Sequence, residues 1–212
     1  MTADPGMYFT VNKNTGPREI REKGSRFIAF LYPVKGDLQA SKIRGNLRKK
    51  YHDSTHICWS YRIFDPDAER FRYGDDGEPS GTAGMPIYYE IKGREYFNVL
   101  LVVIRYFGGV MLGTGGLAKA YARAAREVLD VSQPMIQYVQ QQVSVLFPFG
   151  FTGEMRQLIQ QFSLEIVEQE YTSDGIRMLL GIPLVRLEEV EKELIERSRG
   201  LVKLKIEPTG TV

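Results

Sequence analysis

One cysteine, one tryptophan and two histidines are all that 212 residues hold of these scarce side chains. The lone thiol, Cys58, closes no internal disulfide, and without a cysteine pair no structural zinc site of the usual kind can form. No apolar run reaches the ~18 residues of a membrane span. The first ten residues, "MTADPGMYFT", lack the basic and apolar parts of a secretory signal. These absences lead to the expectation of a reducing, cytoplasmic setting without a membrane partner. No Ser-His-Asp pattern, H-E-x-x-H or G-x-S-x-G is present either, so no catalytic residue and no cofactor is nominated.

Apolar residues at 43% and charged residues at 25% are ordinary for a globular protein. The net charge of +2 is unevenly spread, with 20 Lys and Arg against 15 Asp and Glu in residues 1–135, and 8 against 11 in residues 136–212. A basic first part and an acidic second part suggest two units with different tasks. The excess is too small to establish nucleic-acid binding, and nothing points to DNA specificity.

Several segments carry clear periodicity. "SRFIAFLYPV" at 25–34 reads as a strand, and Leu38, Ile43, Leu47 and Tyr51 fall at helical spacing in 36–53. "HICWSYRIF" at 56–64 alternates as a strand, with His56, Cys58, Ser60 and Arg62 on one face. "FRYGDDGEPSGTAG" reads as a turn-rich connection and "TAGMPIYYEIKG" as a short helix. "YFNVLLVVIRYF" is apolar on both faces, which predicts a central, covered strand. "LAKAYARAAREVLDV" is the clearest helix. After "SQP" the pattern restarts. A strand over 136–149, a helix over 150–162, strands at 164–172 and 175–184, a helix at 185–200 and a strand at 201–208 give β-α-β-β-α-β, the ferredoxin-like order. The boundary is placed at 132–138, dividing an α+β domain of residues 1–134 from a ferredoxin-like domain of residues 135–212.

Between the central strand and the clearest helix lies "YFGGVMLGTGGLAKAY", with five glycines in its first eleven residues. "GTGGLA" at 113–118 satisfies a dinucleotide-binding pattern, but several residues separate it from the strand and no acidic strand end follows. As a Walker loop, "GGVMLGT" at 108–114 has no Lys after Gly113. What remains is a helix start at Thr114, Gly115 and Gly116, Thr114 being a candidate N-cap, able to hold a phosphate or carboxylate. The alternative is that glycine serves only a sharp turn and close packing. "DDGEPSGTAG" at 75–84 opens a second helix with small residues, Ser80, Gly81 and Thr82 being its candidate contacts, with Ser80 or Thr82 as N-cap. Asp75, Asp76 and Glu78 are weak candidates for a hard cation, set against an acidic turn that caps the helix.

Other candidate contacts are positive or aromatic. Lys42, Arg44, Arg48, Lys49 and Lys50 lie on or near one helix. Arg105 and Tyr106 end the central strand. Lys119 and Arg123, four apart, share a helix face near the glycines. His56 and Cys58 point the same way on a strand, yet two ligands are too few for zinc, and a catalytic pair needs an activated thiolate.

"DDGEPSGTAGMPI" followed by "VVIRYFGGVMLGTGGLAKAY", with "SRF" and "THICWSYR" upstream, resembles the signature of the IMPACT/YigZ family over residues 18–131. The resemblance implies a first domain similar to domain IV of elongation factor G, with a left-handed βαβ crossover, and a second similar to its ferredoxin-like domain V. Eukaryotic members regulate translation by binding a ribosome-associated co-activator, thereby restraining a kinase of initiation factor 2. They carry an RWD domain where this chain has its acidic half, so that partner does not carry over. The expectation is a non-enzymatic module for RNA or the ribosome. The alternatives are an enzyme acting on a phosphorylated small molecule or nucleotide through the glycine loop, and a regulator docking on a protein partner.

Overall fold

The computed structural model describes residues 6–65 and 68–207. The far ends of two sequence readings, Met1–Pro5 of the leader segment and Pro208 of the last strand, lie outside them. Among these described residues eleven strands and five α-helices follow in the order β1 (Met7–Val11), β2 (Thr15–Glu22), β3 (Ser25–Pro33), α1 (Asp37–Lys50), β4 (His56–Ile63), β5 (Arg70–Gly74), α2 (Gly84–Gly93), β6 (Val99–Tyr106), α3 (Gly113–Asp130), β7 (Pro134–Tyr138), β8 (Gln140–Phe147), α4 (Thr152–Phe162), β9 (Glu165–Thr172), β10 (Gly175–Pro183), α5 (Leu187–Ser198) and β11 (Leu204–Ile206). Among the described residues, Tyr8–Gln137 make one compact unit, and residues 138–207 with Gly6 and Met7 make the other. No helix among the described residues is long and apolar enough to cross a membrane.

The first unit is built on a five-stranded sheet in the order β2-β3-β6-β4-β5. Every neighbouring pair is antiparallel. β3 and β4 are therefore parallel to each other, with β6 between them and α1 as the crossover. The all-apolar run of β6 holds the centre because both of its faces are covered, and Val99 to Ile104 are buried throughout. On one face Phe27, Ala29, Leu31, Leu101 and Val103 pack with Ile87 of α2 and with Leu117, Tyr121, Ala124 and Val128 of α3. On the other, Ile28, Phe30, Leu100, Val102 and Ile104 meet Ala40 and Leu47 of α1. The α3 stripe recurs every three or four residues and is rich in alanine, so the helix settles close to the sheet.

The second unit has the expected element order and a four-stranded sheet ordered β11-β8-β10-β9. Val143, Val145 and Phe147 of β8 and Ile176, Met178 and Leu180 of β10 turn onto Met155 and Leu158 of α4 and Val190 and Leu194 of α5. The strand expected over 136–149 is two strands. β7 pairs with β1 in a small separate sheet, and β8 joins the second unit. The turn-rich connection also holds a strand, β5, which lies on the sheet edge against β4. β2, rich in polar residues, and β1, only five residues long, are absent from the sequence reading.

Glycine has two distinct uses at the end of this sheet. Lys23 and Gly24, both at positive φ, make the two-residue turn between β2 and β3, the geometry that suits a hairpin twist. Gly108 then presses against that turn so closely that a Cβ there would sit 1.9 Å from the Gly24 carbonyl carbon. Around Gly115, in contrast, a Cβ would meet nothing within 4 Å. Gly108→Ala should therefore lower stability by about 3 kcal/mol. Gly115→Ala should be neutral or stabilising by up to ~1 kcal/mol. Denaturant unfolding of the two variants beside the parent checks both, and equal effects would contradict this reading.

Candidate functional site

The two glycine-rich segments meet where β6 ends and β3 and β4 begin. The "DDGE" sequence makes a turn closed by the Glu78 N–H donating to the Asp75 carbonyl at 3.0 Å. Asp76 and Gly77 within it are both at positive φ, the conformation that Asp-Gly pairs favour. This turn sends its three carboxylates in three directions. Asp75 accepts from the Gly81, Ala83 and Gly84 amides at 2.9, 3.1 and 2.8 Å. Asp76 accepts from the Ile57 amide at 2.6 Å and pairs with Arg48 of α1. Glu78 points inward. The divergence keeps these three from converging on one cation, and among the described residues no group of three or more His, Cys, Asp or Glu side chains is placed to hold a metal. Asp75, Asp76 and Glu78 are thus corrected from cation candidates to internal acceptors.

The same turn corrects the reading of the α2 start. Its amides already hold an anion, the Asp75 carboxylate, which also complements the helix dipole. Neither Ser80 nor Thr82 is the N-cap, because α2 begins at Gly84 after Ala83. Thr82 is buried and donates to the Pro79 carbonyl at 2.6 Å, whereas Ser80 and Gly81 are exposed.

Glu78 ends in a buried polar cluster. Arg105 Nη1 donates to Glu78 Oε1 at 2.6 Å, and Tyr121 Oη donates to the same oxygen at 2.8 Å. Arg105 Nη2 donates to Ser25 Oγ at 3.3 Å, and the Gly108 amide reaches that hydroxyl at 3.2 Å. Arg105 is only 5% exposed. Its fork therefore serves Glu78 and Ser25 inside the unit and is not held out to an external anion. His56 donates from Nδ1 to the Asp76 carbonyl at 2.8 Å, which fixes the proton on that nitrogen in the neutral ring. Its Nε2 lies 3.9 Å from Glu78.

Cys58 sits beneath this cluster, 3.0 Å from the Asp75 carbonyl and 3.3 Å from the Tyr121 oxygen. Burial pushes its thiol well above the usual range, and the Glu78, Asp76 and Asp75 charges push it further. Burial likewise raises the Tyr121 phenol, with Cys58 and Glu78 adding to it. Neither group ionises near neutral pH. Cys58 and His56 thus lack the thiolate on which nucleophilic chemistry depends.

The remaining candidates stay at the surface. Lys42, Arg48 and Lys49 are exposed on α1, whose last turn holds Arg48, Lys49 and Lys50. Tyr106 lies under the Arg26 guanidinium at 5.2 Å and donates to Asp53 at 2.9 Å. α3 begins at Gly113 after Leu112 with no side-chain cap, so Thr114 is a first-turn residue, not the cap. Thr114, Gly115 and Lys119 are exposed, and Gly116 is half-buried. Arg123, more than half exposed, pairs with Glu22 at 3.5 Å. The loop before the helix bares Phe107, Val110 and Met111, the last at 85% exposure. Sequence reasoning missed Ser25, the inward role of Glu78, and Tyr121, which reads as helix core.

Two outcomes follow from the buried cluster. Glu78→Gln keeps the shape but leaves Arg105 as a buried uncompensated charge, which should cost about 3 kcal/mol. Adding Arg105→Met should restore part of that loss in a double-mutant cycle by urea unfolding. In the folded protein Cys58 should resist iodoacetamide from about pH 7 to 9 and react only on unfolding, as read by mass spectrometry. Rapid native labelling would contradict the burial argument.

These residues fall within a stretch with known relatives. Residues 23–129 match the Impact N-terminal domain and residues 147–201 a domain of unknown function, DUF1949. An IMPACT family member of Haemophilus influenzae is 30% identical over 203 residues, covering 95% of this chain and 98% of its own. The IMPACT family member YigZ of Escherichia coli is 31% identical over 189 residues, covering 86% and 89%. A crystal structure of a hypothetical protein superposes with a TM-score of 0.77 at 25% identity, covering 97% of this chain and 99% of the other. With one domain matched through the whole buried cluster and relatives aligned nearly end to end, the chain belongs to the IMPACT family.

Proposed function

We propose that this protein is a non-enzymatic module that binds RNA or the ribosome through its first unit, in translation or its regulation. The observation that carries the reading is that three features lie at the same end of the five-stranded sheet, the α1 turn on one face and the α3 start on the other. The basic last turn of α1 arrives beside the start of β4. The loop after β6 exposes Phe107 there, and its amide bonds Thr55 Oγ1 at 2.9 Å, tying it to the α1–β4 connection. The start of α3 adds main-chain N–H groups with no side-chain cap. Cationic groups, an aromatic face and main-chain amides are what a single strand of RNA uses for phosphate and base contact. The resemblance to eukaryotic IMPACT proteins supplies the link to translation. The un-ionised Cys58 and the internally satisfied carboxylates speak against an enzyme acting on a phosphorylated small molecule.

Fluorescence anisotropy with a labelled single-stranded RNA tests the reading. Binding should weaken steeply with salt, and Lys49→Ala with Lys119→Ala should reduce affinity about tenfold and flatten the salt slope by roughly 1.4. Binding that ignores salt, or a double variant that binds as the parent does, would remove this surface. A calorimetric response to ATP with magnesium would favour the enzyme instead.

A further inference from the structure

Beside that end of the sheet, α1 and β4 flank an open surface cavity of about 300 Å³, lined by Ser41, Arg44, Gly45, Arg48, Trp59 and Asp76 among others. The helix residues are spaced three and four apart, so they form one face over the strand. Arg44 lies 3.7 Å over the Trp59 ring, and its Nε is buried with no hydrogen-bond partner. Burial pulls its pKa down. Asp76, the one anionic side chain among these six, is already engaged by Arg48 and the Ile57 amide. Gly45 is exposed on the same helix face, and a Cβ there would meet no atom within 4 Å.

We propose that this cavity is a subsite for one nucleotide unit, with its phosphate held by the Arg44 and Arg48 guanidinium groups and the Ser41 hydroxyl. Arginine forks match phosphate oxygens, and stacking on the indole holds the Arg44 plane in place before any ligand arrives. The volume lies at the lower end of small-molecule pockets and exceeds what a bare phosphate would fill. The proposal rests on the RNA reading above, and the strand is its expected source of the nucleotide. Arg48 belongs both to the cavity and to the basic turn of α1, so a strand bound at that turn lies next to its mouth.

Trp59 is the sole tryptophan, which makes its fluorescence a reporter for this site. Titration of the full chain with inorganic phosphate, a nucleoside monophosphate and a single-stranded RNA should change Trp59 emission, with inorganic phosphate weakest. Arg44→Met and Gly45→Leu should each weaken RNA binding at least about tenfold by anisotropy. Gly45→Leu fills the cavity at an open helix position, so it keeps the test valid should Arg44→Met misfold. RNA binding unchanged in both variants would overturn the subsite while leaving the RNA reading in place. A monophosphate response without RNA binding would sustain the subsite for a free nucleotide and overturn the RNA reading. Trp59 emission unmoved by all three probes would overturn the subsite.

Discussion

The buried ion pair between Glu78 and Arg105 ties together the end of the first unit's sheet where β6 stops. Glu78 comes from a turn after β5, Arg105 from the end of β6, Tyr121 from two turns into α3, and Ser25 from the start of β3. Four chain segments distant in sequence therefore meet on one carboxylate and one guanidinium. Removing two charges from water is costly unless their remaining donors and acceptors are met; the Tyr121 and Ser25 hydroxyls meet two of them, while Arg105 Nε stays buried with no hydrogen-bond partner. The pair places the "DDGE" turn, and that turn places Asp75 over the α2 amides and Asp76 beside α1. Disturbing the centre would loosen both helices' attachments at this end.

Seen from that pair, the two glycine-rich segments are not equivalent. Both begin helices, yet one is closed and the other open. Asp75 closes the α2 start from within, so its small residues serve the approach of that carboxylate. Gly84 packs directly on Tyr73, where a Cβ would be 2.7 Å from a ring carbon. The α3 start has no such carboxylate and stands at the surface beside exposed Phe107 and Met111. Glycine in that loop does two things. Gly108 allows the backbone to touch the β2–β3 turn, and Gly109 and Gly113 adopt positive φ in open space. Close packing accounts for the first. The others shape a loop that faces outward.

Where the sequence reading succeeded, a strong local pattern set the outcome. The run of β6 is apolar on both faces and lies in the sheet centre, and the α3 stripe is the buried one. The β-α-β-β-α-β order of the second unit was also legible, because turn residues and periodicity separate its elements. The reading failed for edge strands. β5 carries Arg70 and Arg72 and pairs only with β4, so little burial marks it. "IQYVQQQV" alternates continuously although the chain leaves one sheet and enters another at Val139, since alternation records a strand and not its partner. Arg105 was misjudged for a related reason. A charged residue at a strand end usually faces water, and its buried partner lies 27 residues earlier in the chain.

The sequence by itself determined which stretches are covered, which helices are amphipathic, and that the chain resembles one family, because burial periodicity and long motifs are local properties. Only the tertiary structure decided which charges face inward and which outward. Asp75, Asp76 and Glu78 look alike within four residues, and a turn with two positive-φ residues separates their fates. Arg44, Arg48 and Arg105 look equally available, yet one is locked to a buried carboxylate, one is half-exposed beside Asp76, and one is stacked on Trp59 over an open cavity. A side chain's ionic role depends on what the fold brings within about 4 Å of it, where desolvation and pairing outweigh composition.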